Sequence, residues 1–218
     1  MRKTILVILF IALLSVCVIG SALAEDFTLH SGVKFGMTEQ EISSLEGNAG
    51  FKLKDVFVLS STPMKKISGQ VAGIQDSEII YAFDSNGHMF ASTYSLGGTY
   101  ASFDPDYSVV EQALIEKYGE PDNSWFPAVV SVSSYEPFNY FISWGNFSAG
   151  LPEKYSSWLI KADDESYVVI VHYYAYGGAS TSFHSIGYQQ FSANEIDTIK
   201  QTVDEGVQQI NQQLHDDI

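Results

Sequence analysis

The sequence predicts an α+β protein: two similar units of short helix plus antiparallel strands, with a long C-terminal amphipathic helix. Three observations carry this. Two segments, Glu78 to Leu96 and Ser157 to Tyr173, alternate apolar and polar residues about a turn-rich break. A stretch with helix start or stop signals precedes each of them. Beyond Ser192, the residues Ile196, Ile199, Val203, Val207, Ile210 and Leu214 step by three and four.

The chain opens on Arg2 and Lys3, then an almost wholly apolar run from Ile5 to Ile19, then Ala22-Leu23-Ala24 before Glu25. This is the pattern of a cleavable export signal, with an apolar core shorter than the roughly 20 residues a spanning helix needs. Cleavage is expected between Ala24 and Glu25. The product is expected outside the cytoplasm (periplasmic, cell-surface or secreted) with no transmembrane anchor. The single cysteine, Cys17, falls inside the signal, so the mature chain has neither disulfide nor thiolate chemistry.

Thr38 with Glu41 three residues on forms a capping box, Ile42 and Leu45 give the helix its apolar side, and Gly47 is expected to end it. Strands are expected over Phe51 to Leu59 and Ile67 to Gly73. A hairpin then runs from Glu78 through Ser85-Asn86-Gly87 to Leu96, with a type I′ turn. Its apolar face joins Ile79, Tyr81 and Phe83 to Phe90, Ser92 and Tyr94. A second helix spans Tyr107 to Tyr118 and stops at Gly119-Glu120-Pro121. Strands follow over Tyr140 to Trp144, Tyr155 to Ala162 and Tyr167 to Tyr174. The expected face here joins Trp158, Ile160 and Ala162 to Val169, Val171 and Tyr173, leaving His172 and Lys161 opposite. Gly177 to Gly187 reads as a loop. Ser192 with Glu195 caps the last helix, expected from Ala193 to Leu214.

A shift of 79 places Asp84 on Asp163, which suggests an internal repeat. The expected division is 1–24 signal peptide, 25–104 first unit, 105–190 second unit and 191–218 C-terminal helix. Gly36-Met37-Thr38 opening one helix and Tyr118-Gly119-Glu120-Pro121 closing the other give a chain that resembles the β-lactamase-inhibitor-protein group. Small outer-membrane assembly lipoproteins are similar to a single unit. The resemblance covers roughly Gly32 to Tyr174, and departs in lacking a lipidated cysteine and a Gly-x-Pro after the first helix. It implies an exported binding or assembly module; fold alone does not assign function.

The formal net charge is −15, and the only arginine, Arg2, lies in the signal. Nucleic acid and anionic surfaces are thereby poor partners. The histidines are His30, His88, His172, His184 and His215. None lies in a nucleophile motif or at metal-ligand spacing, so no catalytic, metal or cofactor site is expected. Asp84-Ser85-Asn86-Gly87 resembles part of a calcium loop but lacks the later glutamate, and Asp104, Asp106 and Asp163-Asp164-Glu165 are as well explained by solvated turns.

Aromatics are dense from Trp125 to Trp158 and again around Gly177-Gly178. Trp125, Tyr176, Phe183 and His184 are therefore the candidate partner contacts. The expected function is exported, non-enzymatic binding of a protein or envelope component. Carbohydrate or cell-wall recognition through aromatic loops is one alternative. A secreted hydrolase with dispersed acidic residues is the other.

Overall fold

The computed structural model describes residues 27–56, 62–71, 73–96, 107–122, 154–163, 165–176 and 182–201. The segment expected as an export signal, the strand expected at Tyr140 to Trp144, and the part of the expected last helix beyond 201 lie outside the described residues.

Helix α1 (Glu39–Asn48) begins at the expected capping box. Thr38 N–H donates to Glu41 Oε2 at 2.8 Å, and Glu41 N–H to Thr38 Oγ1 at 3.4 Å. The helix runs through Gly47. It closes with Ala49 N–H on the Leu45 carbonyl, and Gly50 (φ 89°), not Gly47, takes the left-handed conformation that follows. Helix α2 (Tyr107–Tyr118) ends as expected at Gly119, whose φ is 84° and whose N–H reaches Ile115 O at 2.8 Å. A third helix, α3, occupies 193–201 and starts at the Ser192/Glu195 capping box.

Among the described residues, seven antiparallel strands form one sheet: β1 (Lys54–Asp55), β2 (Met64–Val71), β3 (Ile74–Phe83), β4 (Met89–Ser95), β5 (Lys154–Lys161), β6 (Ser166–Tyr176) and β7 (Ser182–Ser192). Their order is β1-β2-β3-β4-β7-β6-β5. The stretch expected as a loop up to Gly187 is thus largely β7, a central strand paired on one side with β4 and on the other with β6. The strand expected over Phe51 to Leu59 shortens to Lys54–Asp55 among the described residues.

Register corrects both expected apolar faces. In β3·β4, Ile79 and Tyr81 do oppose Tyr94 and Ser92, but a bulge pairs Phe83 with Met89. Met89 takes the place expected of Phe90, which packs on the opposite face beside Met64, Ile80, Ala82 and Ala91. The turn differs too: Gly87 has a positive φ (80°) and Asn86 does not, so it is not the expected type I′. In β5·β6, Ala162 N–H bonds to Ser166 O, and Lys161 pairs with Tyr167. Trp158 and Ile160 consequently oppose Ile170 and Val168, one residue away from the expected pairing. A one-residue slip exchanges the faces, so His172 shares the side of Trp158 and is fully buried rather than exposed. Tyr81 and Ile160 are buried, and Lys161 is exposed, as expected.

Helices α1 and α2 cover the same face of the sheet. Ile42 of α1 packs with Val33, Ile67, Ile79 and Tyr81. Leu114 of α2 packs with Trp158, Ile160, Val168, Ile170 and Tyr188. Leu29, Phe35 and Tyr94 touch both clusters and join them into one layer. Trp158 Nε1–H donates to Gly119 O at 2.8 Å and fixes the end of α2 over β5. The strands β3 and β6 are buried on both faces through Ile79–Phe83 and Val168–Tyr173, which explains apolar runs that only His172 interrupts. No helix among the described residues is long and apolar enough to cross a membrane.

Candidate functional site

Three polar groupings stand out against this apolar framework. The first is built on α1. Glu46 lies one turn beyond Ile42, on the apolar side of the helix, and is fully buried. Its carboxylate lies 3.0 Å from His30 Nδ1, accepts from Ser31 Oγ at 3.0 Å, and accepts a short hydrogen bond from the Tyr81 hydroxyl. His30 N–H donates to the Tyr94 hydroxyl at 2.7 Å. Ser31 holds a left-handed backbone (φ 55°), a conformation that costs a non-glycine residue about 1–3 kcal/mol. Burial, then the neighbouring Tyr94 and Glu46, raises the Tyr81 pKa, so its hydroxyl stays a donor. This cluster ties the chain before α1 to both the helix and the sheet.

The second grouping lies beneath α2. His172 on β6 and His184 on β7 are diagonal neighbours on the covered face, with their Nε2 atoms 2.8 Å apart. Both are buried, and Tyr107 stacks on His172 with centroids 4.1 Å apart and planes at 10°. His172 Nδ1 has no hydrogen-bond partner. A buried N–H without an acceptor costs more than a lone pair without a donor. The proton therefore belongs on His172 Nε2, donating to His184 Nε2. Burial, with His184 beside it, pushes the His172 pKa down to about 3.

Ser156, opposite His172 in register, gives its proton to Glu111 in a short hydrogen bond and accepts from Tyr107 at 3.0 Å. Burial pushes the Tyr107 pKa up to about 12. A serine whose proton goes to Glu111 is not activated by the histidine beside it, and Ser156 is itself buried. The arrangement is a packed polar layer holding α2 on the sheet.

The third is a cleft of about 520 Å³ that opens to solvent at one end of the sheet. Its origin lies in the strand lengths. Ala91↔Gln189 is the last β4·β7 pair, yet β7 continues against β6 as far as Ser192↔Ser166. Phe90, Gln189 and Phe191 line the cleft together with the carboxylates of Asp163, Glu165 and Glu195. Asp163 accepts from Glu165 N–H at 2.8 Å and Ser166 Oγ at 2.6 Å, bonds that draw its pKa down. Glu195 is held by the Ser192 cap at 2.7 Å. Gln189 is 1% exposed, and its Oε1 has no hydrogen-bond partner.

Of the sequence candidates, Trp125 lies outside the described residues. Tyr176 and Phe183 are in strands, paired with Ser182 and Ala175, and His184 pairs with Tyr174 within β7 rather than lying in a loop. The structure thus places three of them at one hairpin end. Sequence reasoning missed Glu46, Tyr107, His172 and Gln189. Glu46 had a usable signal, a carboxylate set between apolar positions of a short helix. No group of three or more histidines or carboxylates with metal-binding geometry occurs among the described residues. Comparison with family models, curated proteins and solved structures finds no match to the chain.

Proposed function

We propose that the chain is an exported binding module that engages a protein or envelope component. The cleft at the end of β7 carries this reading. Its carboxylates, phenylalanines and a carboxamide are groups that recognise a ligand, while the histidines and the buried glutamate serve inside the fold.

The two-unit architecture belongs to the same proposal. Helix α1 leads into β2-β3-β4, and α2 leads into β5-β6-β7, with β4 meeting β7 at the middle of the sheet. This order favours matching β3-β4 with β6-β7, in place of β5-β6 as the offset of 79 suggests. A likeness to the β-lactamase-inhibitor-protein group rests on that duplication.

The test is capture from the envelope of the producing cell, using the chain from Glu25 onward as immobilised bait. Saturable, reproducible recovery of one component supports binding. Recovery of nothing above a bait of equal charge, or turnover of a cell-wall substrate by the bait, overturns it.

A further inference from the structure

We infer that acid opens the first half of α2 from the sheet, through a proton taken up by the His172–His184 pair, while the second half of the helix stays anchored. The device lies beneath α2 and is independent of the cleft.

The geometry leaves one place for an added proton. His172 Nε2 donates to His184 Nε2 across 2.8 Å, so neither atom has a lone pair to spare. A neutral His184 then carries its own proton on Nδ1. The remaining lone pair is that of His172 Nδ1, which is buried and has no hydrogen-bond partner. A proton there makes a charged N–H without an acceptor, which strongly disfavours the closed packing. The groups around the ring do not supply that acceptor. On α2, Tyr107 stacks on His172, and the Glu111 carboxylate accepts from Ser156 of β5. On the same strand, the Lys154 ammonium lies 5.5 Å from the Tyr107 ring centroid and repels a second cation. On β7, His184 is met edge-on by Tyr174 of β6.

The two ends of α2 are held by different means. Its buried residues are Tyr107 and Leu114. Leu114 sits in the apolar cluster with Trp158 and Ile160, and Trp158 also binds the Gly119 carbonyl. Tyr107 is held by the stack on His172 and the bond to Ser156, both within the polar layer. Val110, between them, is only partly buried. Charging the layer therefore weakens the first half and spares the second.

Burial, with His184 beside it, pushes the His172 pKa down to about 3 from the ordinary 6.5, so the opened form gains the proton as pH falls below 6.5. From pH 6.5 to 4.5 the opening equilibrium should rise on the order of 50-fold.

Native-state hydrogen exchange, corrected for the intrinsic rate at each pH, reads this opening. The amides of residues 111–114, bonded to the first-turn carbonyls, report α2, and those of Ile79–Ala82 in β3 report global unfolding. Protection in 111–114 should be lower than in β3 and insensitive to low urea, because a local opening exposes little surface. It should fall on the order of 50-fold from pH 6.5 to 4.5, and less than about fivefold in His172→Phe. Equal protection and equal urea dependence in α2 and β3 would mean that the helix leaves only on global unfolding, and overturns the inference. An unchanged pH dependence in His172→Phe overturns it as well. Imidazole nitrogen-15 shifts of the wild type cover the case in which that variant folds poorly. They should show His172 Nδ1 bare at pH 4.5 in the closed form. A protonated Nδ1 with 111–114 still fully protected sinks the device.

Discussion

Acid should loosen this protein through His172 in a way a single substitution can isolate. The fold keeps that imidazole neutral, with a pKa pushed down to about 3 from the ordinary 6.5 by burial and by His184. Below pH 6.5 the unfolded chain takes up a proton that the folded chain refuses. Stability is therefore fully present above pH 6.5 and falls as pH drops toward 3. Well inside that window each pH unit costs on the order of 1 kcal/mol, and about 2 kcal/mol is lost between pH 6.5 and 4.5. Because His172 is buried, solvent does not screen this contribution.

The assay is urea denaturation at half-unit steps from pH 7.5 to 4.5, for the wild type and for His172→Phe. Phenylalanine keeps a ring beneath Tyr107 and removes the titration. The wild-type curve should fall more steeply below pH 6.5, by about 1 kcal/mol or more per unit. Acidic groups common to both proteins cancel in the difference. Parallel curves would refute both the burial and the neutral state of His172.

Two further perturbations probe the packing. Glu46→Ala should cost about 3–5 kcal/mol, as expected on breaking a buried hydrogen-bonded ionic group, and Tyr81→Phe about 1.5–3 kcal/mol for the lost donor. Chemical denaturation reads both, and losses under 1 kcal/mol for the pair would show that the cluster is solvated. Ile160→Ala should cost about 2–5 kcal/mol whereas its neighbour Lys161→Ala should cost under about 0.5. Equal losses would mean that β5 is in the wrong register.

What could be read from the sequence was local. Thr38 with Glu41, Ser192 with Glu195, and Gly119 each act within four residues, so their side-chain chemistry announces the helix end wherever it occurs. Register is not local in this sense. The bulge at Phe90 and the pairing of Lys161 with Tyr167 depend on how two turns close, and each moved aromatic or imidazole groups to the other face. Strand β7 escaped notice because Gly187, Gln189 and Gln190 look like loop residues. Gly187 is nonetheless flanked by Thr93 and Val171 in a fully paired ladder. The candidate site suffered most, since its defining residue, Gln189, belongs to that strand. Glu46 could have been found by asking why a carboxylate follows Leu45 on a helix with so few apolar positions.

The place of β7 also governs how the chain must fold. Strands β1 to β4 are complete by Ser95, but the free edge of β4, Ala91 to Ser95, acquires its neighbour only when residues 185–189 arrive. Until then a nearly finished half-sheet presents unsatisfied backbone donors and acceptors, the template on which chains pair with copies of themselves. Closing it requires contacts almost a hundred residues apart, which makes formation slow as well as exposed. A chain cut short before Ser182 would keep that edge open permanently, and self-association, not simple loss of stability, is the defect it should display.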